Sequence, residues 1–346
     1  MKRQPLVSVI VVTLNNLAIL KNCLESLERQ SYQDIEIIVV DNGSKENIKS
    51  LIEWNFPETV YIRLDKNHGF AGGNNVGIKK AKGKYIALIN NDAVASQKWI
   101  ESMVEAAEAD ADIGQVASII IDGNDPDVLD SIGLGIAFDG MTKQAMRGLK
   151  APELEEAARE VLLPSGCACM FRAAALEEVG LFDEDFFAYC EDADLGLRLR
   201  FAGWKAAAPP GALVTHYHSM TTGRYSTSKV YFVERNHFWV AVKNFPLAVL
   251  PALPFVTLYR LWLAGIHMLR STGTMKGFRR NNRPLALVSA FVRAYIDMIS
   301  KLPAMFKKRF SVGKKARLGM FKKISIIKRF KLPMSEILGE NKQGQP

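Results

Sequence analysis

Strand and helix patterns take turns through the first ninety residues, and this alternation limits the fold more than any other feature. Val7 to Val12 is an unbroken apolar run rich in β-branched residues, as expected for a parallel strand covered on both faces. Leu20, Cys23, Leu24 and Leu27 then recur at helical spacing. Ile35 to Val40 reads as a second buried strand ending at Asp41, and Val60 to Leu64 as a third. Asn74 to Lys80 follows as a helix, and Tyr85 to Ile89 as a fourth strand ending at Asn90. Such alternation imposes right-handed crossovers and a mostly parallel sheet flanked by helices, an α/β Rossmann-like class. Ligands of such sheets sit beyond the carboxyl ends of the strands. This chain places polar clusters there: Thr13, Asn15 and Asn16; Asp41 to Ser44; and Asn90 to Asp92.

The second part of the chain is less regular. A strand is expected over Ile113 to Ile121, then a loop-rich stretch to about Lys150, then a strand near Gly166 to Phe171. Helices are expected at Ala173 to Val179 and Ala193 to Ala202. Composition then divides the 346 residues. Residues 241–346 hold 21 Lys+Arg against 3 Asp+Glu, while residues 1–240 hold 24 against 33. An acidic domain over 1–240, with halves meeting near 112, therefore carries a basic helical appendage over 241–346. Asn244 to Tyr259 is uncharged but interrupted by Pro246, Pro251 and Pro254, and Arg260 separates it from a second apolar stretch ending at Leu269. Neither stretch reaches the roughly 18 uninterrupted residues of a spanning helix. Further on, Lys307-Lys308-Arg309, Lys314-Lys315, Lys322-Lys323 and Lys328-Arg329 interleave with Phe306, Phe310, Phe321 and Ile326. That pattern suits a helix lying in the plane of an anionic membrane. Cys23, Cys167, Cys169 and Cys190 lack paired metal spacing and fit a reduced compartment, and no signal peptide is read at the N-terminus.

Five segments carry chemistry. Asp41, at the end of a buried strand, can accept hydrogen bonds from a base or ribose, or merely cap the next helix. The glycines of Asn67-His68-Gly69-Phe70-Ala71-Gly72-Gly73-Asn74 let backbone approach a ligand, before a helix with free N–H groups. Asp92 suits a hard divalent cation on a diphosphate, which takes one or two carboxylates plus phosphate oxygens. Glu191, Asp192 and Asp194 stand among aromatics; they read either as helix N-terminal acids or as a general base with a raised pKa. His216 and His218 lie past a short strand and read as packing or surface residues, or as contacts to a metal or diphosphate.

In order, these segments resemble the family-two glycosyltransferases of the GT-A fold, bacterial rhamnosyltransferase-like members above all. The resemblance covers roughly residues 6–240. It rests on Val9 to Asn15, Val40 to Ser44, Asn67 to Asn74, Asn90-Asn91-Asp92, Glu191 to Leu195 with Arg198, Gly203-Trp204, His216 and Arg235-Asn236. It implies that Thr13, Asn15, Asp41, Asn42, Asn67, Gly69, Gly72, Gly73, Asn74, Asn91 and Arg235 line the nucleotide-sugar site. Asp92 would hold Mg²⁺ or Mn²⁺, with His216 as second contact and His218 its rival. Asp192 would be the base, with Glu191 its rival, in an inverting displacement. Many relatives carry two aspartates where this chain has Asn90 and Asp92, which gives His216 more weight. The Gln-x-x-Arg-Trp motif of processive synthases is missing, which argues for transfer of a single sugar.

The donor implied is a nucleoside-diphosphate sugar, with rhamnose the best guess and UDP-galactofuranose, UDP-glucose or a UDP-N-acetylhexosamine as alternatives. The acceptor implied is a lipid-linked or other saccharide at the cytoplasmic face of a membrane, in cell-wall or polysaccharide synthesis. A nucleotidyltransferase is the rival activity, but Leu14-Asn15-Asn16-Leu17 is not its glycine-rich basic loop. Nucleic acid is not an expected partner, because the 1–240 region is acidic. A catalytically dead scaffold is opposed by Asp92 and Asp192, and a homo-oligomer is compatible with all of this.

Overall fold

The computed structural model describes residues 4–150, 159–217, 226–270 and 282–338. Its first part follows the alternation of the sequence: β1 (Val7–Thr13), α1 (Leu17–Glu28), β2 (Ile35–Asp41), α2 (Ile48–Asn55), β3 (Val60–Arg63), α3 (Gly69–Lys80) and β4 (Tyr85–Asn90). β1 pairs in parallel with β2 on one side and β4 on the other, Val7 facing Ile35 and Tyr85. Burial of β1 on both faces is why its polar positions are so few.

The second part holds β5 (Ala93–Ala95), α4 (Trp99–Ala109), β6 (Ile113–Ala117), β7 (Ile119–Asp122), β8 (Asp125–Ile132), β9 (Leu134–Ile136), β10 (Thr142–Gln144), β11 (Arg159–Glu160) and β12 (Ala168–Arg172). α5 (Ala173–Val179), α6 (Glu191–Phe201), β13 (Lys205–Ala208), β14 (Leu213–His216) and α7 (Thr227–Asn244) complete it. The main sheet runs β11-β13-β6-β12-β4-β1-β2-β3, with β12 antiparallel between β4 and β6. A second sheet runs β5-β14-β7-β8, and β9 pairs with β10. The main sheet is thus mixed on the β6 side and parallel on the β3 side.

Two expectations need correction. The strand expected over Ile113 to Ile121 is two strands, because Ser118 marks the point where the chain leaves one sheet for the other. Its hydroxyl accepts the Trp99 indole N–H at 2.8 Å. The stretch expected as loop to Lys150 contains β8, β9 and β10. The first half of β8 is exposed and charged, which hides its strand character, whereas its second half is buried.

The tail is helical: a 3₁₀ stretch at Leu247–Ala252 runs into α8 (Leu253–Arg270), then α9 (Pro284–Ser300), α10 (Leu302–Lys315), α11 (Met320–Arg329) and α12 (Met334–Leu338). The prolines do not break the apolar run: Leu247–His267 is 21 residues of mean hydropathy 1.6, long and apolar enough to cross a membrane, contrary to the sequence expectation. Pro254 falls in the first turn of α8, where a missing N–H costs nothing, and Pro251 falls within the 3₁₀ stretch before it. Arg260, in the middle of that run, is buried instead in ion pairs with Glu234 of α7 and with Asp139. α7 runs through the boundary expected at 240, and Trp239, Met298, Met305 and Ile327 share one core with Leu134 and Leu197. The tail is packed onto the rest of the chain.

Candidate active site

A cavity of about 690 Å³ opens at the carboxyl ends of β1 and β4, where the topology of an α/β sheet places ligands. Thr13, Asn42, Asn67, Gly69, Asn91 and Asp92 contribute to one wall, and Gly166, Glu191, Asp192 and His216 to the others. Residues from both halves of the expected catalytic region therefore meet at one space.

The strand-end residues form a continuous network. The Asn91 amide donates to the Thr13 hydroxyl at 3.0 Å. The Asn42 amide donates to Asn67 Oδ1 at 3.1 Å and to the Gly69 carbonyl at 3.0 Å, and its own oxygen accepts the His68 N–H. Gly69 has φ +72°, and an added Cβ would stand 2.3 Å from the Phe187 carbonyl. That carbonyl accepts the Ala71 N–H at 3.2 Å, so the glycine turn touches the loop that carries the second carboxylate pair.

Asp92 is buried, and its Oδ1 lies 3.3 Å from His216 Nε2; His216 Nδ1 lies 3.6 Å from Asp130 of β8. Burial disfavours a charged imidazole here, yet neighbouring Cys167 and hydrogen bonds to Asp130 and Asp92 hold the His216 pKa well above its ordinary range. Asp92 and Asp130 flank His216 on two sides, so the pocket concentrates carboxylate charge that suits a cation, toward which His216 would act as a neutral imidazole. No group of three or more acid, His or Cys side chains is arranged to hold a metal among the described residues, so phosphate and water oxygens would complete a shell begun by Asp92 and His216. His218 lies outside the described residues.

Asp192 and Glu191 open α6. Asp192 remains partly exposed to the cavity, and its Oδ2 accepts the Gly166 N–H at 3.0 Å. Glu191 is 5% exposed, and its Oε2 has no hydrogen-bond partner. Burial raises the pKa of both, and the charge of Asp192 raises that of Glu191 further. Glu191 is therefore the neutral acid of the pair and Asp192 the group that ionises first. The preceding loop is strained: Phe187, Tyr189 and Cys190 all have φ near +65°. Asn236 of α7 holds it, its amide donating to the carbonyls of Phe186, Ala188 and Tyr189 at 2.9, 2.9 and 2.7 Å.

Several residues expected in the nucleotide site stand elsewhere. Arg235 is buried over the Trp239 ring and donates to the carbonyls of Asp185 and Phe186, beside Asn236 and behind the cavity wall. Asp41 is fully buried and bound by Arg63, the Tyr61 hydroxyl and the Ser44 N–H. Asn15 has φ +61°, and its side chain accepts the Lys45 N–H; its role is to turn the chain. Gly72, Gly73 and Asn74 lie inside α3, not in a loop before it, and do not line the cavity. A Cβ at Gly73 would meet Val12 at 2.7 Å, so close helix–sheet packing accounts for that glycine. Conversely, Asp130, Lys143, Arg147 and Lys229 belong to the site without having been anticipated. Asp130 had one signal, a lone acid in the apolar half of β8; the cations had none.

The sequence signature described as "Glycosyl transferase family 2" matches residues 8–180. Glycosyltransferase GlyG of Streptococcus pneumoniae is 34% identical over 112 residues, 31% of this chain and 37% of GlyG. The chain likewise spans 31% of the uncharacterized glycosyltransferase EpsJ of Bacillus subtilis. An N-acetylglucosaminyl-diphospho-decaprenol L-rhamnosyltransferase of Mycobacterium tuberculosis is 25% identical over 267 residues, 67% of this chain and 85% of that one. Among solved structures, the mannosyltransferase PcManGT of Pyrobaculum calidifontis, in complex with GDP-Man and Mn²⁺, superposes with TM-score 0.52 at 16% identity, covering 91% of this chain and 86% of that one. TarS 1–349 of S. aureus in complex with UDP gives 0.53 at 16% identity, over 94% and 91%. These likenesses show a shared GT-A architecture. Given that architecture and a signature lying over half of its length, the chain belongs to glycosyl transferase family 2.

Proposed function

We propose that the protein is an inverting glycosyltransferase that moves one sugar from a nucleoside diphosphate to a hydroxyl of a saccharide held at a membrane surface. The observation that carries this reading is the single cavity in which Asp92 and His216 share walls with Asp192. Thr13, Asn42, Asn67, Gly69 and Asn91 bind and orient the nucleotide end. Asp92 and His216 would hold Mg²⁺ or Mn²⁺, which when bound offsets the charge that grows on the departing diphosphate. Asp192 takes the proton of the acceptor hydroxyl. The acceptor oxygen bonds to the anomeric carbon from the face opposite the diphosphate, the glycosidic C–O bond to phosphate breaks, and configuration inverts. Gly166 fixes the Asp192 carboxylate through its N–H, leaving the other face of the group for the acceptor.

The donor sugar we propose is rhamnose, from the likeness to the mycobacterial rhamnosyltransferase. We place the protein peripherally on the cytoplasmic membrane face. Phe255, Leu258 and Trp262 of α8, and Leu285, Val292 and Ile296 of α9, form exposed apolar stripes beside the lysine-rich α10 and α11. The test is release of nucleoside diphosphate from a panel of dTDP-rhamnose, UDP-galactofuranose, UDP-glucose and UDP-N-acetylhexosamines. One donor should turn over, and chelator or Asp92→Ala should abolish it. Turnover that survives both removes Asp92 from the proposed role.

A further inference from the structure

Asp183 and Asp185 do not line the cavity, yet they stand directly before the loop that leads to Glu191 and Asp192. Asp183 caps a single 3₁₀ turn, Glu184–Phe186, its carboxylate accepting the Asp185 N–H at 3.2 Å. Lys243 of α7 meets the same carboxylate at 2.6 Å. The remaining charges come from the tail. Lys308 of α10 bonds to Asp183 and, at 2.7 Å, to Asp185, while Lys301, at the turn into α10, meets Asp185 at 3.1 Å. Burial alone would raise the Asp185 pKa, but Lys308 and Lys301 outweigh it and hold the carboxyl below its ordinary range. α10 is itself fixed in place. Met305 is fully buried, and Arg309 donates to the carbonyls of Val242 and Phe245 at the end of α7, at 2.6 and 2.5 Å. Beyond the 3₁₀ turn, Phe187, Tyr189 and Cys190 keep φ near +65°, a conformation that persists only where the surroundings over-determine it. Arg235 and Asn236 hold the carbonyls of this stretch from α7, and the lysines hold its entrance from the tail.

We propose that the tail positions the base: Lys308 and Lys301 clamp Asp183 and Asp185, and that clamp keeps the strained 187–190 loop in the shape that presents Asp192 to the cavity. This rests on the reading of Asp192 as the base and adds two positioning residues from outside the strand-end motifs. Networked, half-buried ion pairs resist screening better than isolated surface pairs, so the clamp suits a structural task. The basic appendage is then part of the catalytic unit, and these two lysines work on the loop while their neighbours face outward.

The test compares the full-length parent with Lys308→Met, which keeps the apolar stem, the double variant Lys301→Met with Lys308→Met, Lys308→Arg, and Lys307→Met. Release of nucleoside diphosphate from the donor panel is measured without vesicles, so that membrane attachment plays no part. Amide hydrogen exchange is followed in the same proteins. Lys308→Met should lower kcat ~10-fold, and the double variant further, with donor KM within ~2-fold, because a displaced base slows the reaction without touching the strand ends. Lys308→Arg should recover kcat to within ~3-fold, and Lys307→Met, on the exposed face one residue away, should match the parent. Exchange at the 186–190 amides should quicken at least ~5-fold in Lys308→Met and stay parental in Lys307→Met. Parental exchange in Lys308→Met overturns the proposal, and so does faster exchange with parental kcat, which would leave a clamp that positions nothing. Exchange that quickens evenly along the chain would make Lys308 a general stabiliser and overturn it too. If the parent turns over no donor, the transferase reading fails and loop exchange alone decides the clamp. If a donor turns over while loop exchange is the same in every protein, the clamp fails and the transferase reading stands.

Discussion

Asp194 and Glu191, three residues apart, are buried carboxyls driven in opposite directions by their neighbours. Burial alone would raise Asp194, but Lys243 and Arg198 outweigh it and hold the pKa at about 2, with Asn244 also bonded to it. A folded pKa below the unfolded value of ~3.9 means its stabilisation is present above ~3.9 and fades as pH falls through about 2. Asp194→Ala leaves Lys243 and Arg198 buried without their partner and should cost ~3–5 kcal/mol in urea denaturation at pH 7. Glu191 has no such partner, and burial lifts its pKa. A raised carboxyl pKa gives stability that is complete below ~4.3 and is lost as pH rises through the folded value. Glu191→Gln should therefore match the parent at low pH and exceed it by ~1 kcal/mol or more on the alkaline side, read from midpoints across pH. An unaltered pH profile would mean that Glu191 is not held neutral. Both residues were conspicuous in the sequence as acids among aromatics. Their opposite roles were not, because Lys243 and Asn244 meet Asp194 only through the packing of α7 on α6.

The elements divide in the same way between what local pattern carries and what packing decides. β1 and β4 were legible because each is buried on both faces and so reads as an unbroken apolar run, whereas β2 is fully buried only in its second half and β3 lies half-exposed at the sheet edge. β12 was equally legible as a strand, but its antiparallel direction was not, since apolar content is the same either way. α3 starts at Gly69, five residues before the helical pattern of Asn74 to Lys80: glycines disfavour helix, yet Gly73 and Gly77 face the sheet, where a Cβ would stand 2.7 Å from Val12 and 2.6 Å from Ile10. The resemblance assigns Arg235 to the nucleotide, whereas in the fold Arg235 and its neighbour Asn236 brace the strained 187–190 loop from α7. Asn236→Ala removes the donor from three carbonyls at once and should cost ~2–3 kcal/mol. It should also lower kcat more than it changes donor affinity, because the loop positions Asp192. A variant with normal kcat would show that the loop holds its shape unaided.

Across the whole molecule, an acidic catalytic face is joined to a basic, apolar-striped helical tail through one core. Residues 241–346 carry the charge excess, and Lys322 and Lys328 lie on α11 beside the exposed Phe321. Lys322→Glu with Lys328→Glu should weaken binding to anionic vesicles by ~1 kcal/mol or more per residue, with the difference shrinking in high salt. Flotation with neutral and anionic vesicles checks this; equal binding to both would remove charge from the account. The division of charge was plain in the sequence. The joining of tail and site was not, because the Arg260 pairs with Glu234 and Asp139 depend on contacts between distant segments. The central claim is that donor and base meet in one cavity but do separate work. It is tested most directly by measuring donor binding and sugar transfer side by side for the parent and Asp192→Asn. Donor affinity should stay within ~2-fold, while kcat for transfer falls ~10²–10⁴-fold, as loss of a general base requires. Transfer by Asp192→Asn at the parental rate would contradict the account.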